Sequence, residues 1–219
     1  MVQTYLINIF LVLIAYLLGS IPSSVWIGKI FYNIDVREHG SGNAGTTNTF
    51  RVLGVKAGIP VFIFDALKGW LAVKLIYFTN YYIPSSGDFI NFQLLLGIFA
   101  VLGHIFPIYV RFKGGKGVAT LFGVVLSIHP YAALISVGIF AFLLIATRYV
   151  SLSSMIAGFS FPVIIIFVFK TTTLSLVIFS LIIAILLLLT HQRNIERLLS
   201  KEESKISIKK KSDKKNNER

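Results

Sequence analysis

The sequence predicts an all-α integral membrane protein that crosses the bilayer about seven times. Of its 219 residues, 55% are hydrophobic, and the mean hydropathy is +0.79. Soluble domains of this size rarely have such a composition. Four uncharged stretches are each about as long as a bilayer-spanning helix, roughly 20 residues. They are residues 1–28, 89–110, 149–169 and 171–192.

The apolar stretches and the polar segments between them predict the individual spans. The uncharged stretch 117–147 is too long for one span, because a helix of this length would measure about 46 Å against a hydrocarbon core of about 30 Å. Pro130 disfavours helical conformation in the residue before it, so we divide the stretch there. The seven predicted spans are Thr4–Phe31, Val55–Tyr77, Phe89–Val110, 117–128, 131–147, 151–169 and 174–190.

The basic residues predict the orientation. With seven spans, 17 of the 21 Lys and Arg residues fall on one side, while Lys74 and Lys170 fall on the other. The positive-inside rule places the 17 in the cytoplasm and the N-terminus outside. The net charge of +12 therefore indicates membrane topology and no nucleic-acid partner.

The last twenty residues differ in composition from the rest. Residues 200–219 hold eight basic and four acidic residues and few apolar ones. We expect a disordered cytoplasmic tail here, attracted to anionic membrane lipids, after a transmembrane domain of residues 1–199. Its removal after Ser200 should leave the activity of the domain largely intact.

A glycine- and asparagine-rich motif lies in the first cytoplasmic loop. It reads Gly-Ser-Gly-Asn-Ala-Gly-Thr-Thr-Asn over residues 40–48, and Arg51 follows. Glycines let the backbone turn tightly and direct N–H groups at an anion, and the guanidinium of Arg51 suits phosphate. An ordinary turn needs two such residues rather than nine. The candidate site residues here are Ser41, Asn43, Thr47 and Arg51.

A second motif, Phe-Lys-Gly-Gly-Lys-Gly, covers residues 112–117 and immediately precedes a span. Backbone amides at a helix N-terminus form a ready anion site. The motif is not a Walker A loop, because Gly117 stands where Ser or Thr should follow the lysine. A basic topology anchor with a flexible hinge is the alternative. The phosphate-binding candidates are Gly114, Gly115, Lys116 and Gly117.

A third motif follows the last span. His191 and Asn194 are three residues apart and are expected to share a helix face at the membrane surface. His191 is a candidate proton carrier or anion partner. The alternative is an interfacial histidine beside a solvated run of charges. Ser153, near the start of the sixth span, is either a helix cap or a further site residue.

Several kinds of chemistry are not indicated. The chain has no cysteine, which excludes a thiolate nucleophile and a cysteine-bound metal. Its few carboxylates show no metal-ligand spacing, so we expect neither a metal nor a cofactor. Asp65 and Lys68 lie deep in the membrane and are expected to form a structural ion pair. An anion transporter should have more polar or broken helices at mid-membrane, so transport is the weaker alternative.

Together these motifs resemble the bacterial acyl-phosphate:glycerol-3-phosphate acyltransferases, the PlsY family. The resemblance runs from residue 19 to residue 199, in the family's order and spacing, and Thr46 departs from the usual alanine. The matching segments are Gly19–Pro22, Gly40–Asn48 with Arg51, Asp65 to Gly69, Gly103 to Pro107, Phe112–Thr120, Arg148–Ser154 and His191 to Leu199.

The resemblance implies acyl transfer from an acyl phosphate to the sn-1 hydroxyl of glycerol 3-phosphate, at the cytoplasmic face of the bacterial inner membrane. It implies site roles for the residues Ser41, Thr47, Arg51, Lys116, Ser153, His191 and Asn194. The mixed anhydride is already activated, so no nucleophilic residue is required. Both His191 and the phosphate of the acyl donor stay open as acceptors of the hydroxyl proton.

Overall fold

The structure is a computed structural model that describes residues 2–206. This part of the chain consists of helices joined by loops and contains no β-strand. Short 3₁₀ turns cover Val36–Glu38, Leu75–Phe78 and Ile108–Val110, and a π-helical turn, Ile164–Val168, prolongs α8. The α-helices are α1 Val2–Ser20, α2 Ser23–Tyr32, α3 Thr46–Leu53, α4 Val55–Lys74, α5 Gly87–Ile105, α6 Val118–Ile128, α7 Pro130–Thr147, α8 Val150–Val163, α9 Leu174–Thr190 and α10 Gln192–Leu199.

Each of the seven predicted spans contains a helix, and the expected all-α architecture is confirmed in the described residues. By length and apolarity, four segments qualify as membrane spans, and a fifth qualifies if α9 and α10 are counted as one span bent by 61°. The helix α6 has 11 residues, and α4 carries several charges. The number of seven crossings and the orientation of the termini therefore stay predictions.

The first predicted span, Thr4–Phe31, is wrong as a single helix. The chain breaks at Ile21-Pro22, between α1 and α2, because proline has no N–H to donate and disfavours helix in the residue before it. The Ile21 carbonyl freed by the break accepts from Lys68 Nζ at 2.8 Å. The separate helix α2 then leads into the loop that carries the first motif.

Small residues let the helices pack closely. A Cβ on Gly19 would overlap the backbone of Ala100, and a Cβ on Gly103 would overlap the carbonyl of Tyr16, so α1 and α5 meet backbone to backbone. Such small-residue contacts are the usual way for helices to associate in a bilayer. By contrast, many large apolar side chains face outward, among them Phe142 and Phe167, which are 72% and 71% exposed.

Candidate active site

The first loop is held in shape by a buried asparagine. Asn48 is 2% exposed, and its Oδ1 accepts from the backbone N–H of Ser41 at 2.8 Å. Its Nδ2 donates to the carbonyl oxygens of Val36 and His39, at 2.7 and 3.1 Å. Gly40 lies against this amide with φ of +63°, where a Cβ would overlap Asn48 Oδ1. Asn48 therefore fixes the turn that presents Ser41.

The candidate side chains of the first loop are accessible. Ser41 and Asn43 are half-buried, and Thr47 and Arg51 are exposed. Thr47 and Arg51 lie four residues apart on α3 and so share one of its faces. This accessibility suits a water-soluble ligand, whereas Asn48 beneath the loop is a supporting residue that the sequence motif contained but sequence reasoning did not single out.

The second loop closes the end of α5. The N–H of Gly114 donates to the Ile105 carbonyl at 3.2 Å, and that of Gly115 donates to the His104 carbonyl at 3.1 Å. We expected these amides to face a phosphate, but the structure gives them helix carbonyls as partners. Gly117 has φ of +81° and caps the start of α6. The side chain of Lys116 is therefore the group of this loop that stays a candidate for binding an anion.

The two loops are tied to each other. Arg37 donates from Nη1 to the Val110 carbonyl at 3.2 Å, and its Nε and Nη2 pair with the Asp35 carboxylate. The Ser24 hydroxyl donates to the Ala44 carbonyl at 2.8 Å, and a Cβ on Gly115 would lie 3.1 Å from the same carbonyl oxygen. The relative positions of the two motifs are therefore fixed by polar contacts between backbone and side chains.

A buried ion pair supports both loops from below. Asp65 and Lys68 pair at 2.8 Å, which confirms the expected contact, and the Ser23 hydroxyl donates to Asp65 at 2.6 Å. His104 lies 3.6 Å from the same carboxylate, and its Nδ1 is 3.1 Å from Thr120 Oγ1. A small cavity of about 10 Å³ is lined by Ser23, Asp65, Lys68 and His104 and also touches Ala44, Gly114 and Gly115.

Lys116 and Asn194 bring the second and third motifs together. The ammonium of Lys116 donates to Asn194 Oδ1, and the two residues are 78 positions apart in the chain. Burial, together with the charges of Arg197 and Arg51, lowers the pKa of Lys116 to about 8. Asn194 itself is 6% exposed. A half-buried lysine whose charge is opposed by two arginines is a good site for an anion, because the anion restores the balance of charge.

His191 follows α9, and one of its two ring nitrogens is already hydrogen-bonded. Its Nδ1 lies 2.8 Å from the Leu187 carbonyl oxygen. Since a carbonyl oxygen can only accept, Nδ1 carries the proton, and Nε2 has a free lone pair. Burial and the nearby charge of Lys116 lower the pKa of His191 to about 4. The imidazole is therefore neutral at pH 7.

The serines at the start of α8 divide their roles. The Ser153 hydroxyl is fully buried and donates to the Tyr149 carbonyl of its own helix at 2.8 Å. Its oxygen lone pairs are then the groups left for a ligand. Ser151 instead donates to Glu203 Oε1 at 2.8 Å. The hydroxyl that contacts the third motif through Glu203 therefore belongs to Ser151.

Glu203 was not predicted as a site residue, because residues 200–219 were assigned to a disordered tail. Residues 200–206, the C-terminal strap, instead fold back onto α8 and α10. Glu203 accepts from Asn194 Nδ2 at 2.7 Å and from Arg197 Nε at 2.8 Å, and Ile206 N–H donates to the Arg148 carbonyl. The rest of the predicted tail, 207–219, lies outside the described residues.

The described residues contain no group of three His, Cys, Asp or Glu side chains that could hold a metal ion. The polar groups gathered at the loops are instead donors: an ammonium, guanidinium groups, amides and hydroxyls. Such a set binds phosphate and carboxylate oxygens. The independence from metals stays a prediction.

Known proteins with similar sequences share one description. A family model described as glycerol-3-phosphate acyltransferase matches residues 9–201. A glycerol-3-phosphate acyltransferase of Bacillus subtilis is 45% identical over 196 residues, which cover 90% of this chain and 96% of the relative. One of Listeria monocytogenes is 44% identical over 198 residues, with coverage of 90% and 96%.

Two solved structures are similar throughout. Both are described as PlsY (YgiH), an integral membrane glycerol 3-phosphate acyltransferase, one in a glycerol 3-phosphate form and one in a lysphosphatidic acid form. The TM-scores are 0.81 and 0.78, the identities 37% and 35%, and 91% of this chain is covered in each case, with 96% and 95% of the solved chains. This chain therefore belongs to the glycerol-3-phosphate acyltransferase family and is an integral membrane acyltransferase of the PlsY type.

Proposed function

We propose that the protein transfers a long-chain acyl group from acyl phosphate to the sn-1 hydroxyl of glycerol 3-phosphate, which gives lysophosphatidic acid and inorganic phosphate. The observation that carries this proposal is the charge around Lys116: the cations Arg51 and Arg197 act on its ammonium, and Glu203 is the one carboxylate that does so. One carboxylate leaves this group short of negative charge. A phosphate on either substrate would supply it.

The similar solved structures support glycerol 3-phosphate as the acceptor of the acyl group. Solved structures of similar proteins are described as glycerol 3-phosphate and lysphosphatidic acid forms, and the second compound is an acylated form of the first. We infer that this chain binds the same pair. The donor is inferred from chemistry: an acyl phosphate presents a second phosphate to a basic site, and it needs no nucleophilic residue to activate it.

In the proposed mechanism the acceptor hydroxyl attacks the donor directly. The hydroxyl oxygen forms a bond to the acyl carbon, and the bond from that carbon to the phosphate oxygen breaks. The hydroxyl proton leaves with the phosphate, because burial and the charge of Lys116 lower the pKa of His191 to about 4 and make it a weak base. His191 then serves as a neutral hydrogen-bonding group through Nε2. Ser41, Asn43, Thr47 and Ser153 position the glycerol hydroxyl and the acyl carbonyl.

The reaction is assigned to the cytoplasmic face of the inner membrane, with seven spans and the N-terminus outside. This orientation rests on the sequence, since seven spans would place 17 of the 21 basic residues on the side of the two loops. Glycerol 3-phosphate reaches such a site from the cytosol. The apolar donor reaches it from the lipid, whose surface the protein contacts through its exposed aromatic and aliphatic side chains.

The choice of donor tests the proposal. The purified protein in detergent is given labelled glycerol 3-phosphate with palmitoyl phosphate, palmitoyl-CoA or palmitoyl carrier protein. We expect labelled lysophosphatidic acid from palmitoyl phosphate alone. Equal or faster turnover with either thioester would reject the acyl-phosphate donor, while the acceptor would still stand.

Arg51→Lys keeps the charge but loses the planar pair of donors. We expect kcat/KM to fall about tenfold, the amount that one charged hydrogen bond contributes. Arg193→Lys on α10 is the matched control, since Arg193 is exposed and is not one of the candidate site residues. Steady-state kinetics with each substrate varied in turn would show the effect, and full activity of Arg51→Lys would reduce Arg51 to a topology anchor.

A further inference from the structure

The Asn194 side chain lies between two groups of opposite hydrogen-bonding character. On one side is the Lys116 ammonium, which can only donate, and on the other is the Glu203 carboxylate, which can only accept. The amide therefore has one possible orientation, with Oδ1 toward Lys116 and Nδ2 toward Glu203. Without the carboxylate, the ammonium alone would hold the amide in this orientation, and Nδ2 would lose its acceptor.

Glu203 is itself held firmly. Its side chain is 5% exposed, and its two oxygens accept from Ser151 Oγ, Asn194 Nδ2 and Arg197 Nε, all between 2.7 and 2.8 Å. The strap that carries it contacts the two residues before α8: the Ile206 N–H donates to the Arg148 carbonyl at 2.9 Å, and Lys205 lies over the Tyr149 ring. A carboxylate fixed in this way is a stable reference point for the site.

We propose that Glu203 is a positioning residue that orients the Asn194 amide and thereby holds the Lys116 ammonium ready for a substrate phosphate. The proposal rests on the proposed function of Lys116 as a phosphate-binding group. It adds a residue beyond the last position of the family match, at residue 201, to the machinery of the reaction. Glu203 acts through Asn194 and Lys116 and has no contact with the reacting atoms. Truncation after Ser200 would remove Glu203, so the expectation that it leaves activity intact is replaced by an expected loss.

The charges around Lys116 predict a signature in the pH dependence. The groups that act on this ammonium are Arg51 on α3, Arg197 on α10, His191 at the end of α9, and Glu203 on the strap. His191 is neutral near pH 7, so Glu203 is the only one of these groups that favours the charged ammonium. Its loss lowers the pKa of Lys116 further below about 8, because burial and both arginines remain.

Glu203→Gln tests the proposal, with Glu202→Gln as the matched control, since Glu202 is the exposed neighbouring glutamate. For the full-length variants, the KM for glycerol 3-phosphate and the affinity measured by calorimetry are followed from pH 6 to pH 9. We expect Glu203→Gln to move the alkaline limb of the pH profile of KM to lower pH by about one unit, which would raise KM about fivefold at pH 8 and about tenfold at pH 9. At pH 6, where Lys116 is charged in both proteins, the difference should shrink. Glu202→Gln should match the wild type.

Glu203→Asp keeps the negative charge, so its alkaline limb should stay near that of the wild type. A loss of activity in Glu203→Gln that is equally large at every pH, or no loss at all, would overturn the proposal. So would the loss of a cooperative thermal transition in both Glu203 variants, because Glu203 would then serve folding alone. If the wild type neither binds nor acylates glycerol 3-phosphate, it is the proposed function that fails.

Discussion

Replacing Lys116 with alanine is expected to lower kcat/KM for glycerol 3-phosphate roughly 100-fold, mainly by raising KM. The half-buried Lys116 ammonium donates to Asn194 and stands among cationic groups. A phosphate bound to the ammonium keeps that contact in both the ground state and the transition state. Removal of the ammonium therefore weakens substrate binding more than turnover. Initial rates with each substrate varied separately would also show which of the two phosphates Lys116 binds.

Lys113→Ala is the control for this experiment. Lys113 lies in the same loop, three residues earlier, and is exposed. It carries the same charge toward the membrane surface, and we expect its replacement to change kcat/KM by less than about twofold. Equal and small effects of both substitutions would remove the second loop from the site.

Gly114→Ala is expected to abolish activity and to lower the thermal stability of the purified protein. A Cβ at this position would overlap the His104 carbonyl oxygen and would lie 2.6 Å from Pro107 Cδ and 2.7 Å from the Ile105 carbonyl oxygen. Backbone atoms cannot move aside as a flexible side chain can, so the loop must leave the end of α5. Overpacking of this kind costs about 1–3 kcal/mol or more, and Lys116, two residues on, would move with the loop.

Gly138→Ala provides the comparison, because Gly138 lies within α7 and a Cβ there would have no neighbour within 4 Å. Alanine also has the higher helix propensity. We therefore expect wild-type activity and an unchanged or slightly higher melting temperature. A Gly114→Ala protein with the stability and turnover of Gly138→Ala would show that the second loop is not clamped by α5.

The helical architecture could be predicted because apolar stretches and polar segments alternate along the chain. The Asp65–Lys68 pair could also be predicted, since an isolated carboxylate in a membrane needs a partner within reach of one helical turn. The contact between Lys116 and Asn194 could not be derived from spacing, because it joins residues 78 positions apart. The only indication that they could meet was that both motifs were predicted on the same side of the membrane.

Three features were beyond sequence reasoning for physical reasons. The break at Ile21-Pro22 lies within an uncharged stretch, and proline is tolerated in membrane helices often enough to hide it. The amides of Gly114 and Gly115 could serve either an anion or a helix end, and their partners depend on how closely α5 approaches. Glu203 lies among charged residues whose composition is typical of a disordered tail, so its contacts with Asn194 and Arg197 left no local signal.

Direct transfer between two bound substrates is the central claim, and an acyl-enzyme is the competing route. Such an intermediate needs an activated nucleophile, for which Ser41 with His191 as its base would be the candidate. The two loops proposed to bind phosphate instead favour holding both substrates at once, which can supply several kcal/mol of the barrier through proximity. The kinetic expectation is a ternary complex with intersecting double-reciprocal plots.

The most direct test is to mix the enzyme with acyl phosphate labelled in its acyl chain, without glycerol 3-phosphate, and to denature the protein at times shorter than one turnover. Glycerol 3-phosphate is added to a parallel sample. The account predicts no stoichiometric label on the protein in the first sample and labelled lysophosphatidic acid in the second. Stoichiometric labelling of Ser41 that forms and decays as fast as turnover would contradict it.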